Sequence, residues 1–489
     1  MHLQLFAVPP YHIIHHPLWM INLNKMRSHR YQDLSDDDES TISSDSCEND
    51  SEELKAERII AVRHDSRKNW EDRLKQMNTS EIHNGSRWFQ RTQDLENHDT
   101  EERYLVKWAD LSYLHCSWET KVDLEEQVPN AKLCFTMFAR GNQDGYFFNA
   151  DERADGEYFD PCWLQIERIL DVSDDIVTSS DRRRKEKYDS KTQPHSSWRQ
   201  LLIKWWNLPY SNSTYEFEKD LQKHEIEYEN QLQEFVLRNQ KPTKTFIIQG
   251  LSAHNEVKSR CRKLLGDHLT RIQENMKSFS EKLQMYPFPS DSRLRDYQAE
   301  GVTWLMSNYI NGRNSLLSDD MGLGKTIQTT VFISMLNSML SIRGPFLVIA
   351  PLSTIQHWRR EFSSWTHLNI IVYHGSAKDR EYIREWEFAY EVDRPPYLNM
   401  NALFLANCHE RSSPKWQRTW MVQVVLTTPE VLCSDDAAEL AVLEWEALVV
   451  DEAHRLKNYT SKFATSLRDD RFTFKHTVLL TGTPIQVRV

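Results

Sequence analysis

The sequence predicts a multidomain protein in which an α/β lobe with a mostly parallel sheet follows two small, repeated β+α modules. Three observations carry that expectation. The second half holds four apolar runs, "GPFLVIAP", "VQVVLTTP", "EALVVDEAH" and "HTVLLTGTP", each ending at a polar loop and separated by helix-like stretches. Runs with so little polar alternation suit strands covered on both faces. Between a short strand and a helical pattern lies "LLSDDMGLGKTIQTT", a Gly-containing turn of the kind that cradles phosphate. The first half holds two segments of like design, "YLVKWADLSYLHCSWE" (Tyr104 to Glu119) and "LLIKWWNLPYSNSTYE" (Leu201 to Glu216).

Taken in chain order, residues 1–56 read as a disordered acidic and Ser-rich tail. The stretch from Asp33 to Leu54 carries ten acids and no base, so most of the net charge of −12 is a property of the tail and excludes no nucleic-acid partner. The opening "MHLQLFAVPPYHIIHHPLWMINLNK" lacks a basic n-region, so a signal peptide is not expected. No apolar run has the length of a membrane span, and the expectation is a protein without membrane contact. The seven cysteines are dispersed, with no CxxC and no Cys/His pairing at zinc spacing, a pattern of reduced intracellular thiols.

Residues 57–140 and 160–228 form the repeated modules. Each has a short strand ("ERIIAV", "IERILD"), then a β-rich run into Lys-Trp, then a turn and an aromatic followed by Glu. "LEEQVPNAKLCFTMFAR" is expected to close the first module as a helix. On their own, Trp108, Trp118 and Trp205 read as core aromatics. "RRRKEK" (Arg182 to Lys187) reads as a solvated loop ahead of a nuclear-localisation or phosphate-contacting segment. Residues 229–288 are charged and helix-like, a bridge to the lobe at 289–489.

The lobe's chemistry begins at its Gly-rich turn, residues Asp319, Asp320, Met321, Gly322, Leu323, Gly324, Lys325 and Thr326. Glycines let backbone N–H groups wrap phosphate oxygens, and a helix N-terminus adds a favourable dipole. Lys325 then reaches the β- and γ-phosphates and the Thr326 hydroxyl holds Mg²⁺. Apolar positions 327, 331, 335, 336, 339 and 340 give the following helix one buried face. Asp319 stands where the strict GxxxxGK[ST] pattern has glycine, and the shorter GxGK[ST] arises by chance in about one chain of this length in fifty. The companions of this turn make the assignment. Asp451 and Glu452 follow the strand "ALVV", where an Asp can share the Mg²⁺ and a Glu can orient the attacking water. Gln298 in "LRDYQAEGVTWL" is placed to read an adenine edge, and Thr481 and Thr483 in "LLTGTP" to sense the γ-phosphate.

The ordered set "LRDYQAEGVTWL", "DDMGLGKTIQT", "LVIAPLSTIQHWRREF", "VYHGSAKDRE", "LTTPEVL", "VVDEAHRLKN" and "LLTGTPIQ" resembles the first RecA-like P-loop lobe of Snf-type ATPases. The tandem modules resemble chromodomains, and the combination resembles the chromodomain–helicase–DNA-binding (CHD) family. That resemblance implies ATP and Mg²⁺ as cofactors. It implies double-stranded DNA and nucleosomal histones as partners, nuclear localisation and membership of a larger remodelling complex. It assigns phosphate and metal binding to Lys325 and Thr326, metal and water to Asp451 and Glu452, and adenine contact to Gln298. It assigns coupling of hydrolysis to DNA movement to His454, Thr481 and Thr483. Pro351 to Thr354 and Thr427 to Glu430 match segments that track the DNA backbone.

Three departures from the family pattern shape the expectation. Methyl-lysine-reading chromodomains hold the ammonium in an aromatic cage. The corresponding positions here are Leu54, Trp108 and Leu111 in the first module, and Leu164, Trp205 and Leu208 in the second, with Trp163 and Trp206 close by. One aromatic in three predicts weak or absent methyl-lysine reading. No zinc-finger cysteines precede the modules, which disfavours the branch that has them. Family members continue "GTPIQN" into a second RecA-like lobe that supplies transition-state arginines, whereas this sequence ends "VRV". The expectation is a truncated product or an imperfect gene model, without turnover by this chain alone. The alternative is a non-catalytic chromatin- or DNA-binding module.

Overall fold

The computed structural model describes residues 55–66, 69–70, 100–143, 158–173, 199–251, 279–390 and 419–482, except 280, 282, 291, 435, 436 and 442. The tail through Leu54, the "RRRKEK" loop and Thr483 therefore lie outside the described residues. Two compact units divide the chain, with the boundary after Phe235.

In the first unit, β1 (Ala56–Ser66), β2 (Thr100–Trp108) and β3 (Ser117–Thr120) form an antiparallel sheet in that order, followed by α1 (Lys121–Gln127) and α2 (Ala131–Gln143). The second module repeats this with β4 (Ile166–Ser173), β5 (Gln200–Trp205) and β6 (Thr214–Phe217), then α3 (Glu218–Lys223) and α4 (Glu229–Asn239). The single closing helix expected across "LEEQVPNAKLCFTMFAR" is two helices. Val128 is extended because it precedes Pro129, which ends α1. Asn130 then uses its amide to clamp the start of α2 to β1, accepting from Ala56 N at 3.1 Å and donating to Ala56 O at 2.6 Å.

The duplication extends to individual hydrogen bonds. Lys107 Nζ reaches Glu57 at 2.7 Å and the Trp108 carbonyl at 2.9 Å; Lys204 Nζ reaches Glu167 at 2.6 Å and the Trp205 carbonyl at 2.9 Å. Trp108 Nε1 donates to Ser117 Oγ at 2.8 Å, and Ser117 donates to Glu119 at 2.7 Å. Trp205 Nε1 donates to Thr214 Oγ1 at 2.9 Å, and Thr214 donates to Glu216 at 2.7 Å. Even the ladder irregularities coincide, at Ala56/Arg58 and Ile59/Ala61 in β1 and at Ile166/Arg168 and Ile169/Asp171 in β4. A buried indole N–H needs a partner, and the Ser/Thr-x-Glu of the facing strand supplies it in both modules.

The modules share one hydrophobic core, in which Leu105 and Trp118 of the first join Ile169 and Trp205 of the second. At the junction Tyr113 packs on Phe159 (4.9 Å) and Trp163 (4.8 Å), and the Arg58 guanidinium lies over Tyr113 and Trp163 at 5.7 and 5.8 Å.

The second unit begins inside α4 and is helical again over residues 244–251. Its lobe contains α5 (Asp296–Ile310), β7 (Ser315–Leu317), α6 (Lys325–Leu340), β8 (Phe346–Ile349), α7 (Leu352–Trp365), β9 (Ile370–Val372) and β10 (Val424–Thr427). β11 (Glu444–Trp445), β12 (Ala447–Val450), β13 (Thr473–Phe474) and β14 (Thr477–Leu480) follow. Six strands form one all-parallel sheet in the order β7-β14-β12-β8-β10-β9, and β11 and β13 form a separate parallel pair. The four apolar runs are β8, β10, β12 and β14, and β8, β10 and β12 are buried throughout.

α6 is not one-faced. Every residue from Gln328 to Leu336 is buried because α6 packs against both α5 and α7. Burial all round a helix is what a central position demands. Of its polar residues, Thr329 Oγ1 donates to the Lys325 carbonyl at 2.9 Å and Gln328 Nε2 to Asp319 at 3.0 Å, whereas Thr330 Oγ1 is buried with no hydrogen-bond partner. Among the described residues no helix is long and apolar enough to cross a membrane. Cys116, Cys134, Cys162 and Cys433 are free thiols.

Candidate nucleotide site

Parallel strands deliver their C-terminal loops to one sheet edge. Here the edge receives the Gly-rich turn after β7, Thr481 and Gly482 after β14, and Asp451 and Glu452 after β12. β14 lies between the other two strands, so three segments far apart in sequence become neighbours.

The turn is held open by two glycines in the left-handed region, Gly322 (φ +88°) and Gly324 (φ +78°). Gly324 is also the N-cap of α6, and a Cβ there would lie 2.5 Å from Gln298 Nε2. Lys325 Nζ bridges the turn's own carbonyls, Asp319 O at 2.7 Å and Asp320 O at 3.1 Å. Asp319, in the place of the pattern's first glycine, uses its carboxylate to accept from Gln328 Nε2 at 3.0 Å, which anchors the turn to α6. Asp320, Met321 and Leu323 are exposed, and Met321 stands against Gly482. Thr326 sits half-buried in the first turn of α6.

Asp451 is fixed at three points. Its N–H continues the sheet to Ile349 O at 2.8 Å. Its Oδ1 accepts from Glu452 N and its Oδ2 from Trp358 Nε1, both at 2.9 Å. Burial raises the pKa of this carboxyl, against which Trp358, the Glu452 N–H and the nearby charge of Lys325 all work. Glu452 has φ +50°, a strained backbone for a non-glycine residue, and its carboxylate lies 3.0 Å from His454 Nδ1. Thr481 is buried and its N–H extends the β7 pairing to Leu317 O at 3.2 Å.

Gln298, which the sequence places to read an adenine edge, also holds the backbone around it. It is buried at the start of α5, where Oε1 accepts from Arg295 N at 3.0 Å and Nε2 points to Leu323 O at 3.4 Å. It ties the Gly-rich turn to α5. Of the segments matched to DNA tracking, Leu352 is exposed at the start of α7, whereas Thr427 and Thr428 are buried and Thr427 Oγ1 donates to Tyr373 O at 2.9 Å. Glu430 is exposed and pairs with Arg455 at 3.2 Å, joining that segment to the loop after β12. Sequence reasoning missed Trp358 and Gln328. Gln328 stands four residues past the cap glycine, a local signal, but Trp358 reads only as a core aromatic at helical spacing.

The residues fit a magnesium nucleotide. The turn's backbone is bare where side chains would crowd phosphate, and a helix N-terminus and a lysine converge on it. The Thr326 hydroxyl and Asp451 carboxylate are hard oxygen ligands of the type Mg²⁺ takes, with substrate phosphates and water completing its shell. Among the described residues no cluster of three His, Cys, Asp or Glu could hold a metal alone. A bound Mg²⁺ would supply charge neutralisation between phosphates. With nucleotide bound, the backbone and Lys325 would seat the phosphates and Glu452 would hold a water.

Residues 297–489 match the SNF2-related domain, and residues 91–138 match the Chromo (CHRromatin Organisation MOdifier) domain. Chromodomain-helicase-DNA-binding protein 8 of Homo sapiens is 34% identical over 386 residues, 79% of this chain and 12% of that protein. Chromodomain-helicase-DNA-binding protein 6 of Homo sapiens is 33% identical over 385 residues, again 79% of this chain and 12% of that one. A solved SWI2/SNF2 ATPase core of Sulfolobus solfataricus is 29% identical, covering 41% of this chain and 34% of its own, with a TM-score of 0.30. This chain thus spans about an eighth of the length of the two human relatives. Both matched domains stand in one chain, in the order read from the residues, and the relatives align across both: the chain belongs to the chromodomain–helicase–DNA-binding family.

Proposed function

We propose that this chain carries the ATP-binding lobe and the chromatin-contacting modules of a DNA-stimulated ATPase that remodels nucleosomes in the nucleus. The observation that supports it best is the convergence of Lys325, Thr326 and Asp451 at one edge of a parallel sheet, with Thr481 just past the end of the strand between. The start of α7, with Leu352 exposed, opens onto the same edge, where duplex DNA would be tracked beside the nucleotide. Sequence-independent contact with a DNA backbone is electrostatic and falls with salt. Nucleosomal histones and a larger remodelling complex are the expected partners. Transition-state arginines, which the family carries on a second lobe, contribute about 10³–10⁵ in rate.

The test is nucleotide binding and ATP hydrolysis by the chain, with and without duplex DNA, beside Lys325→Ala. The reading requires Mg²⁺-dependent nucleotide binding that Lys325→Ala removes, and salt-sensitive DNA binding that it leaves intact. DNA or nucleosome binding with no Lys325-dependent nucleotide binding would point instead to a non-catalytic binding module. Robust DNA-stimulated turnover would overturn the dependence on a second lobe.

A further inference from the structure

The indole N–H groups of Trp70, Trp108, Trp205, Trp365 and Trp445 find a partner in a neighbouring strand, their own helix or a nearby carbonyl. Trp445 Nε1 donates to Leu440 O at 2.9 Å and Trp365 Nε1 to Glu361 at 3.0 Å, each within five residues. Trp358 is different. Its side chain is fully buried in the lobe core, and its one polar atom crosses 93 residues of sequence to Asp451 Oδ2, at 2.9 Å. The other carboxylate oxygen, Oδ1, accepts the Glu452 N–H at 2.9 Å. With one donor on each oxygen the carboxylate plane is set, and lone pairs remain on both atoms. The alternative, an indole N–H satisfied incidentally, leaves unexplained why its acceptor is the carboxylate that directly follows β12.

We propose that Trp358 is a positioning residue for the magnesium site: its N–H fixes the Asp451 carboxylate in the orientation that receives the metal. The inference rests on the nucleotide-site reading above and deepens it. Partners of this kind, one bond removed from a metal, set the orientation and basicity of the ligand, and their loss lowers metal affinity about 10–100-fold. The indole ring itself packs on Phe362, 6.0 Å between centroids, so part of its role is plain packing, and the experiment has to separate the two.

The full chain is titrated with a fluorescent ATP analogue in EDTA, and then with Mg²⁺ at fixed nucleotide. Wild type is compared with Trp358→Phe and with Trp358 replaced by β-(3-benzothienyl)alanine, which keeps the ring shape and lacks the N–H. The expected result is metal-free nucleotide affinity within about twofold of wild type in both variants, with the Mg²⁺ midpoint raised about 10–100-fold. Wild-type Mg²⁺ dependence in the benzothienyl variant overturns the proposal, as does a parallel loss of metal-free and metal-dependent binding alongside a lower Tm. If Trp358→Phe fails to fold, the benzothienyl variant decides alone. A wild-type chain that binds no nucleotide, or a Lys325→Ala variant that binds as well, removes the underlying reading and this proposal with it; a failure confined to Trp358 leaves that reading standing.

Discussion

His115 Nε2 lies 2.7 Å from Glu216 Oε2, and this pair ties the turn between β2 and β3 of the first module to the last strand of the second. Burial pulls the imidazole toward neutrality, but Glu216 outweighs it and holds the ring above its ordinary 6.5. Glu216 is pushed up by burial and drawn below 4.5 overall by His115 and Thr214. Asp220, itself raised by burial, and Lys107 face the same pair.

The stability that follows has a defined window. The His115 contribution is complete below about pH 6.5 and is lost as pH rises through its higher folded value. That of Glu216 is complete above about pH 4.5 and is lost as pH falls through its lower folded value. Urea denaturation is expected to find the tandem modules most stable between those limits. His115→Ala should cost about 3 kcal/mol at pH 5.5, because it leaves a buried carboxylate unpaired, and clearly less at pH 9. An equal cost at both would contradict the assignment.

Trp108 and Trp205 are 4% and 1% exposed and spend their N–H groups inside their own modules, as core residues do. The aromatic cluster at the module junction, Tyr113 with Trp163, is already covered by Arg58. Histone-tail peptides bearing unmodified and trimethylated lysine are therefore expected to titrate alike, while Trp205→Ala lowers stability by about 3–5 kcal/mol. Tight binding that depends on methylation would refute this.

Gly301 of α5 makes room for Gln328, since a Cβ at 301 would lie 1.9 Å from its Oε1. Gln328 in turn holds Asp319 of the Gly-rich turn. Gly301→Ala is expected to destabilise the lobe by about 1–3 kcal/mol and to weaken nucleotide binding. Trimming the neighbour in Gly301→Ala/Gln328→Ala should recover stability but not nucleotide affinity. A strictly additive double mutant in thermal melts would show that the two residues are not in conflict.

His476 lies at the other end of β14 from Thr481, packed on Tyr309 (5.2 Å) and Phe332 (5.9 Å). Burial drives its pKa down to about 4, with Glu446 pulling weakly the other way. The unfolded chain takes up this proton first, so the lobe is expected to lose about 3 kcal/mol as pH falls from 6.5 toward 4. His476→Phe should flatten that slope in denaturation curves while leaving nucleotide binding at neutral pH unchanged. Lobe and modules thus respond to mild acid with opposite sign.

The features legible in the sequence were those written over a few consecutive residues. Four uninterrupted apolar runs announced buried parallel strands, and Lys-Trp with its following aromatic-Glu pair announced the repeat, whereas the Ser or Thr that receives each indole N–H did not stand out. Pro129 should have been read as the break between α1 and α2. The all-round burial of α6 was hidden because Gln328, Thr329 and Thr330 are polar, and only the helices on either side explain their burial. Gln298 also caps the backbone at the start of α5, a duty that its motif does not announce. Trp358 and Asp451 meet across 93 residues through packing that no local pattern encodes.

β7, the strand that leads into the Gly-rich turn, pairs only with β14 among the described strands, and β14 begins at Thr477, 160 residues after Leu317. At about 5–20 residues per second, a ribosome needs roughly 8–30 s to make the intervening chain. Through that interval the anchoring strand of the phosphate loop has no sheet partner to settle on. The nucleotide site is therefore a late product of synthesis, completed only when the strand that slots between β7 and β12 has emerged. A nascent chain arrested before Thr477 would display the glycine turn without the support that shapes it.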